Sequence, residues 1–105
     1  MTGRRSSKAP LEKSIVASIS KALRARGAYV AKIHGSFYGS SGIPDLVCCY
    51  RGHFIGLEVK RPGNKATPIQ EAQMEGIRRA EGIAVVVTDV PSALDLLDSL
   101  DRLTS

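Results

Sequence analysis

Between Gly42 and Lys60 the chain reads GIPDLVCCYRGHFIGLEVK, and three charged side chains in it stand at a spacing that can do chemistry. Asp45 opens one apolar run. Glu58 and Lys60 close the next, two residues apart, so on an extended strand they leave from one face. Leu57 and Val59 then point the other way, into a core. Carboxylates gathered beside one end of a buried hairpin are costly unless something binds there. A hard divalent cation such as Mg2+ relieves their repulsion with oxygen ligands. A cation that also touches a phosphate can activate water and stabilise charge developing at phosphorus. Lys60 can orient that water, help to deprotonate it, or neutralise the transition state. The plainer alternative is an aspartate at a strand start and a Glu–Lys pair on a solvated sheet face.

Several features weigh against that alternative. The Pro44-Asp45 step follows the Gly/Ser-rich segment 35–42, GSFYGSSG, which suits an open cleft. Residues 1–65 hold twelve Lys or Arg but only three acids, Glu12, Asp45 and Glu58, for a net charge of +9. Residues 66–105 carry −4, leaving +5 overall. Positive charge concentrated in one half suggests a polyanionic partner. Glu12 falls on the same helical face as Val16, Ile19 and Leu23, so it turns inward and needs a partner; the metal site could be one, through water. The alternative for Glu12 is a helix-start glutamate favoured by the dipole. Gln70 is three residues after Thr67, the spacing of a capping box, and a cap is its simplest role. Its functional alternative is contact with the attacking water or the DNA backbone.

The elements that must position these residues follow from periodicity. Leu11, Ile15, Ile19, Ala22 and Leu23 recur at helical spacing, predicting a helix from Leu11 to about Arg26 that Gly27 ends. Ala28 to His34 alternates as a strand. Asp45 to Tyr50 and His53 to Lys60 form a hairpin about a tight turn at Arg51-Gly52. A helix opens at Thr67 as N-cap, with Pro68 first, and runs to about Glu81. The run Ile83 to Thr88 reads as a buried strand. Ser92 to Leu103 is a last helix with Leu96, Leu97, Leu100 and Leu103 inward. The order is α-β-β-β-α-β-α, an α/β fold with a mixed four-stranded sheet flanked by helices.

At 105 residues the chain is read as one domain, residues 11–105, behind a mobile basic arm at 1–10. No apolar run is long enough to span a membrane, and the arm does not read as a signal peptide. Cys48 and Cys49 are neighbours in a strand, so they cannot pair with each other, and they are not spaced for zinc. They read as small buried hydrophobes in a reducing, cytoplasmic compartment.

The segment GIPDLVCCYRGHFIGLEVKRPGNKATPIQ resembles the VRR-NUC branch of the PD-(D/E)xK nucleases. It carries that branch's G-x-PD, E-V-K and downstream Q elements in order, with the helix-1 glutamate at Glu12. The resemblance covers nearly the whole chain after the arm and implies a restriction-endonuclease-like core. It implies that Asp45, Glu58 and the backbone carbonyl of Val59 ligate Mg2+ or Mn2+. It implies Lys60 as the catalytic lysine, with Glu12 and Gln70 in support. Short stand-alone members resemble phage and bacterial proteins, some acting on branched DNA such as Holliday junctions, and a homodimer would supply the two symmetric nicks such a junction needs. The alternatives are a nicking or restriction-type nuclease on linear duplex and a non-catalytic DNA-binding module. Arg4, Arg5, Lys32, Ser36, Tyr38, Arg61 and Lys65 are candidates for contact with the DNA backbone. No base-reading helix or aromatic platform is evident, so shape is the expected basis of recognition.

Overall fold

The computed structural model describes residues 11–34 and 41–104. The basic arm, with Arg4 and Arg5, and the positions of Ser36 and Tyr38 lie outside the described residues. The elements are α1 (Glu12–Ala25), β1 (Tyr29–Lys32), β2 (Leu46–Tyr50), β3 (His53–Val59), α2 (Pro68–Arg79), β4 (Ile83–Val87) and α3 (Val90–Thr104), in the expected order. The sheet order is β1-β2-β3-β4, with β1, β2 and β3 antiparallel and β4 parallel to β3. Two successive parallel strands need a crossover, and α2 supplies it.

Local chemistry accounts for the turns. Arg51 and Gly52 both have positive φ, 50° and 84°, the conformation a two-residue hairpin turn requires. Gly27, at φ 93°, ends α1. Thr67 and Gln70 exchange both bonds of a capping box at the head of α2, and Pro68 is its first residue.

The helices divide between the two faces of the sheet. α1 and α3 pack on each other and on one face, where Ile19, Leu23, Leu46, Ile55, Leu57, Val59 and Leu97 are almost wholly buried. Each such side chain contributes about 1.5–3 kcal/mol relative to exposure. That gain offsets the cost of a buried carboxylate elsewhere on the same sheet. α2 lies on the other face, over β3 and β4, with Met74 buried and Ile77 reaching Gly56.

Several expectations need correction. Cys49 is exposed, whereas Cys48 is buried; both are free. They sit on opposite faces of β2, and α2 packs mainly over β4 and β3. β4 is an edge strand instead of a fully buried one, and Val86 is 36% exposed, because no strand follows it. α3 begins at Val90, ahead of Ser92, because Asp89 takes the cap: its carboxylate accepts from Ser92 N at 2.9 Å. Leu103 is 76% exposed, in the last turn and beyond the seam of Ala93, Leu97 and Leu100. Leu11 is 64% exposed and precedes the helix it was expected to open. β1 is shorter than Ala28–His34, and β2 and β3 stop one residue short of Asp45 and Lys60.

Candidate active site

Asp45 and Glu58 meet where the β2–β3 ladder ends. Leu46 pairs with Leu57, so the next position on each strand brings Asp45 opposite Glu58. Asp45 lies just outside the strand, and its side chain continues the ladder: Oδ2 accepts from Val59 N at 2.8 Å. Its own carbonyl accepts from Ile33 N at 2.9 Å, tying the residue to β1 as well. An extended residue presents its N–H and C=O to the same side, so the Val59 carbonyl faces the Asp45 edge.

Glu58 is the anomaly of the fold. It is 2% exposed, and among the described residues its Oε1 has no hydrogen-bond partner. Its Oε2 lies 3.6 Å from Nζ of Lys60, itself only 9% exposed. At that distance the pair attracts electrostatically without a good hydrogen bond. Burial pushes the Glu58 carboxyl up to about 7; the charge of Asp45 adds to the shift and Lys60 opposes it. A buried, under-satisfied carboxylate costs several kcal/mol when ionised and is not a device for stability.

Glu12 stands at the first turn of α1, half-buried. With Lys13, Val16, Lys32, Ile33 and Asp45 it lines a cleft of about 250 Å3. Asp45 therefore belongs both to the group it forms with Glu58, Lys60 and the Val59 backbone and to the cleft lined by Glu12 and Lys32. Gln70 is engaged in its cap: its Oε1 accepts from Thr67 N at 2.9 Å and its N–H donates to Thr67 Oγ1 at 3.2 Å. Arg61 and Lys65 lie on the loop between β3 and α2, half-buried and exposed respectively. Lys13 was not anticipated, and adjacency to Glu12 is the one sequence cue that pointed to it. Gln73, whose Nε2 donates to the Ser41 carbonyl at 3.1 Å just before Asp45, left no cue at all.

The donor set is compatible with a hard cation. Among the described residues no three of His, Cys, Asp and Glu cluster as a complete ligand set. What is present is a carboxylate pair, one of whose buried oxygens is orphaned among the described residues, at the open end of the β2–β3 ladder. Oxygen donors of this kind suit Mg2+ or Mn2+ better than a thiolate- or imidazole-seeking metal.

No family model matches the sequence, and no curated protein matches it. Eleven chains of solved structures are similar, among them these two. One, described as a VRR_NUC domain, superposes with a TM-score of 0.71 at 28% identity, over 83% of this chain and 94% of that one. The other, a VRR_NUC domain protein, has a TM-score of 0.71 at 17% identity, covering 87% of this chain and 88% of that one. The second likeness bears on the fold alone.

Proposed function

The chain belongs to the VRR-NUC family and has a restriction-endonuclease-like fold, and on that premise we propose that it is a divalent-metal-dependent endonuclease hydrolysing DNA phosphodiesters. The observation that carries this reading is Glu58: a buried carboxylate with an orphaned oxygen, opposite Asp45 and 3.6 Å from Lys60. Asp45, Glu58 and the Val59 carbonyl would hold Mg2+, with Mn2+ as a substitute, and Glu12 would support it through water. Bound there, the cation supplies Lewis-acid stabilisation of charge at the phosphodiester. Lys60 either orients the attacking water and offsets charge developing at the phosphate as its ammonium, or takes the water's proton as its free amine. Glu12 and Lys32 bound the cleft through which the strand approaches.

Lys32, Arg61 and Lys65 contact phosphates, joined by Arg4, Arg5, Ser36 and Tyr38. The substrate is branched DNA such as a Holliday junction, cut by a homodimer whose two-fold axis matches the two symmetric nicks. Free Cys48 and Cys49 agree with action in a reducing cytoplasm. No described helix is long and apolar enough to cross a membrane.

The test is incubation with Mg2+ and labelled four-way, flap, single-stranded and duplex DNA, with EDTA controls. Preferential, EDTA-sensitive cutting of the four-way substrate is expected. Equal cutting of linear duplex defeats the branched-DNA reading. Binding without cleavage identifies a non-catalytic module, and full activity in EDTA defeats the metal mechanism. Light scattering decides the dimer: a monomer both free and on junction DNA overturns it.

A further inference from the structure

Asp45 lies at a bend ahead of β2, so the path of residues 41–44 determines where its carboxylate stands. That path is pinned against α2 at successive points. Gln73 Nε2 donates to the Ser41 carbonyl at 3.1 Å. Gly42 has φ +80°, and a Cβ there would come within 2.5 Å of Ile69 Cγ2 and 2.9 Å of Ile69 backbone atoms. The turn therefore rests on the helix backbone itself, and only glycine fits. Pro44 is buried over Gly56, where an added Cβ would meet its Cγ at 3.1 Å and Ile77 Cδ1 at 2.9 Å. Pro44 and Ile77 thus share the space that a side chain on β3 would take.

α2 is in turn a fixed post. Its capping box holds the N-terminus, Met74 is fully buried, and the Arg78 guanidinium donates twice to the Ala84 carbonyl, at 3.0 and 2.7 Å. From this geometry, and resting on the nuclease reading of the site, we infer that α2 sets the position of Asp45 against Glu58, with Gln73 as its principal positioning residue. Gln73 touches no reacting atom. It acts by holding Ser41, and through Gly42 and Pro44 the carboxylate that follows. Nucleophile, metal and phosphate must be registered closely, and misplacement by about 1 Å costs on the order of 100-fold in rate.

The experiment compares the full chain with Gln73→Met, which keeps the length without the donor, and Gln73→Glu, which replaces the donor with an acceptor. Three quantities are read: kcat and KM on the DNA that the parent cuts, Mn2+ affinity by calorimetry, and hydrogen exchange of the Val59 amide. That amide reports on Asp45 directly, because the Asp45 carboxylate is its acceptor. Both variants are expected to lose about 10- to 100-fold in kcat or Mn2+ affinity, as for groups that orient metal ligands, with KM unchanged. Exchange at Val59 should quicken while core amides such as Leu57 do not. Gly56→Ala, which drives Pro44 outward, should give the same signature. Parental values in both Gln73 variants overturn the inference, as does faster exchange spread evenly over the core, which marks plain destabilisation. If Asp45→Asn cuts DNA at the parental rate, the reading of this site as the nuclease centre fails. The Val59 exchange rate then still decides whether α2 holds the Asp45 carboxylate.

Discussion

The β2–β3 hairpin carries a cluster of charges at each end, and the two are treated oppositely by the fold. At the turn end, Arg26 donates to Asp98 at 2.9 Å and to Asp101 at 3.0 Å. Tyr50 OH donates to the other Asp101 oxygen at 2.8 Å, and Arg51 approaches that same oxygen at 3.6 Å. These charged side chains are all part-exposed, and each carboxylate has a cationic neighbour. At the open end, Glu58 is sealed from water with one oxygen unpartnered among the described residues, where its charged neighbours are the Asp45 carboxylate and Lys60. Charges that are partnered and half-solvated tie α1 and α3 to the sheet at little cost. Charges that are buried and under-partnered are maintained at a cost, and a ligand is the natural means of relieving it.

The sharpest way to break this comparison is to remove the open-end acids. Glu58→Ala or Asp45→Asn should reduce cleavage to background and weaken Mn2+ binding, while metal-free DNA binding persists, since phosphate contacts come from basic side chains. Gel-based cleavage and calorimetry check it. Full cleavage by either variant ends the assignment. Lys60→Ala should lose roughly 10²–10⁴-fold in kcat while keeping its Mn2+ affinity, because a charged lysine offers no lone pair to a metal. A fall in metal affinity as large as that of Glu58→Ala would give Lys60 the wrong role.

The contrast also explains what could be read from the sequence. Asp45, Glu58 and Lys60 were legible because strand alternation and a hairpin turn at Arg51-Gly52 are local patterns that fix who faces whom. The Thr67–Gln70 cap was legible for the same reason. The turn-end cluster was not: Arg26 lies 72 residues from Asp98, and nothing in either neighbourhood announces the pairing. Leu103 and Cys49 failed similarly, since exposure depends on how far α2 and α3 extend over their neighbours. The α3 start was in principle readable, because Asp89 precedes Val90-Pro91 as a cap precedes a first-turn proline. Gln73 was beyond reach, being a polar residue on an exposed helix turn whose partner is a backbone carbonyl.

Glu58 gives the next largest effect, now on stability. Its carboxyl is raised from 4.5 to about 7 in the fold. Between those values the folded chain binds more protons than the unfolded one, so metal-free stability should fall as pH rises from about 4.5 to about 7 and then level off with respect to this group. The loss is on the order of 3 kcal/mol at most. Glu58→Gln should remove that slope and exceed the parent in stability at pH 8 in EDTA, and added Mn2+ should restore the parent alone. Urea melts at pH 5 and pH 8 decide it. A parent whose stability does not fall over this range, or a variant weaker than the parent at pH 8, contradicts the account of a strained acid.

The smallest expected effect belongs to the turn end and sharpens the contrast from the other side. Tyr50 is largely buried against the core, with only its hydroxyl reaching Asp101. Tyr50→Phe keeps the ring and its packing and removes one hydrogen bond to a charged acceptor, an interaction typically worth about 1.5–3 kcal/mol. Asp101 is not stranded by the change, because Arg26 still donates to it and it remains part-exposed. The loss should therefore sit at or below the lower end of that range, seen as a lower urea midpoint with an unchanged slope. Cleavage rate and Mn2+ affinity should match the parent, since Tyr50 stands at the far end of β2 from Asp45. If instead Tyr50→Phe weakens metal binding or slows cleavage without a matching loss of stability, the two ends are energetically coupled through the hairpin, and their separation into a structural end and a ligand-binding end would have to be given up.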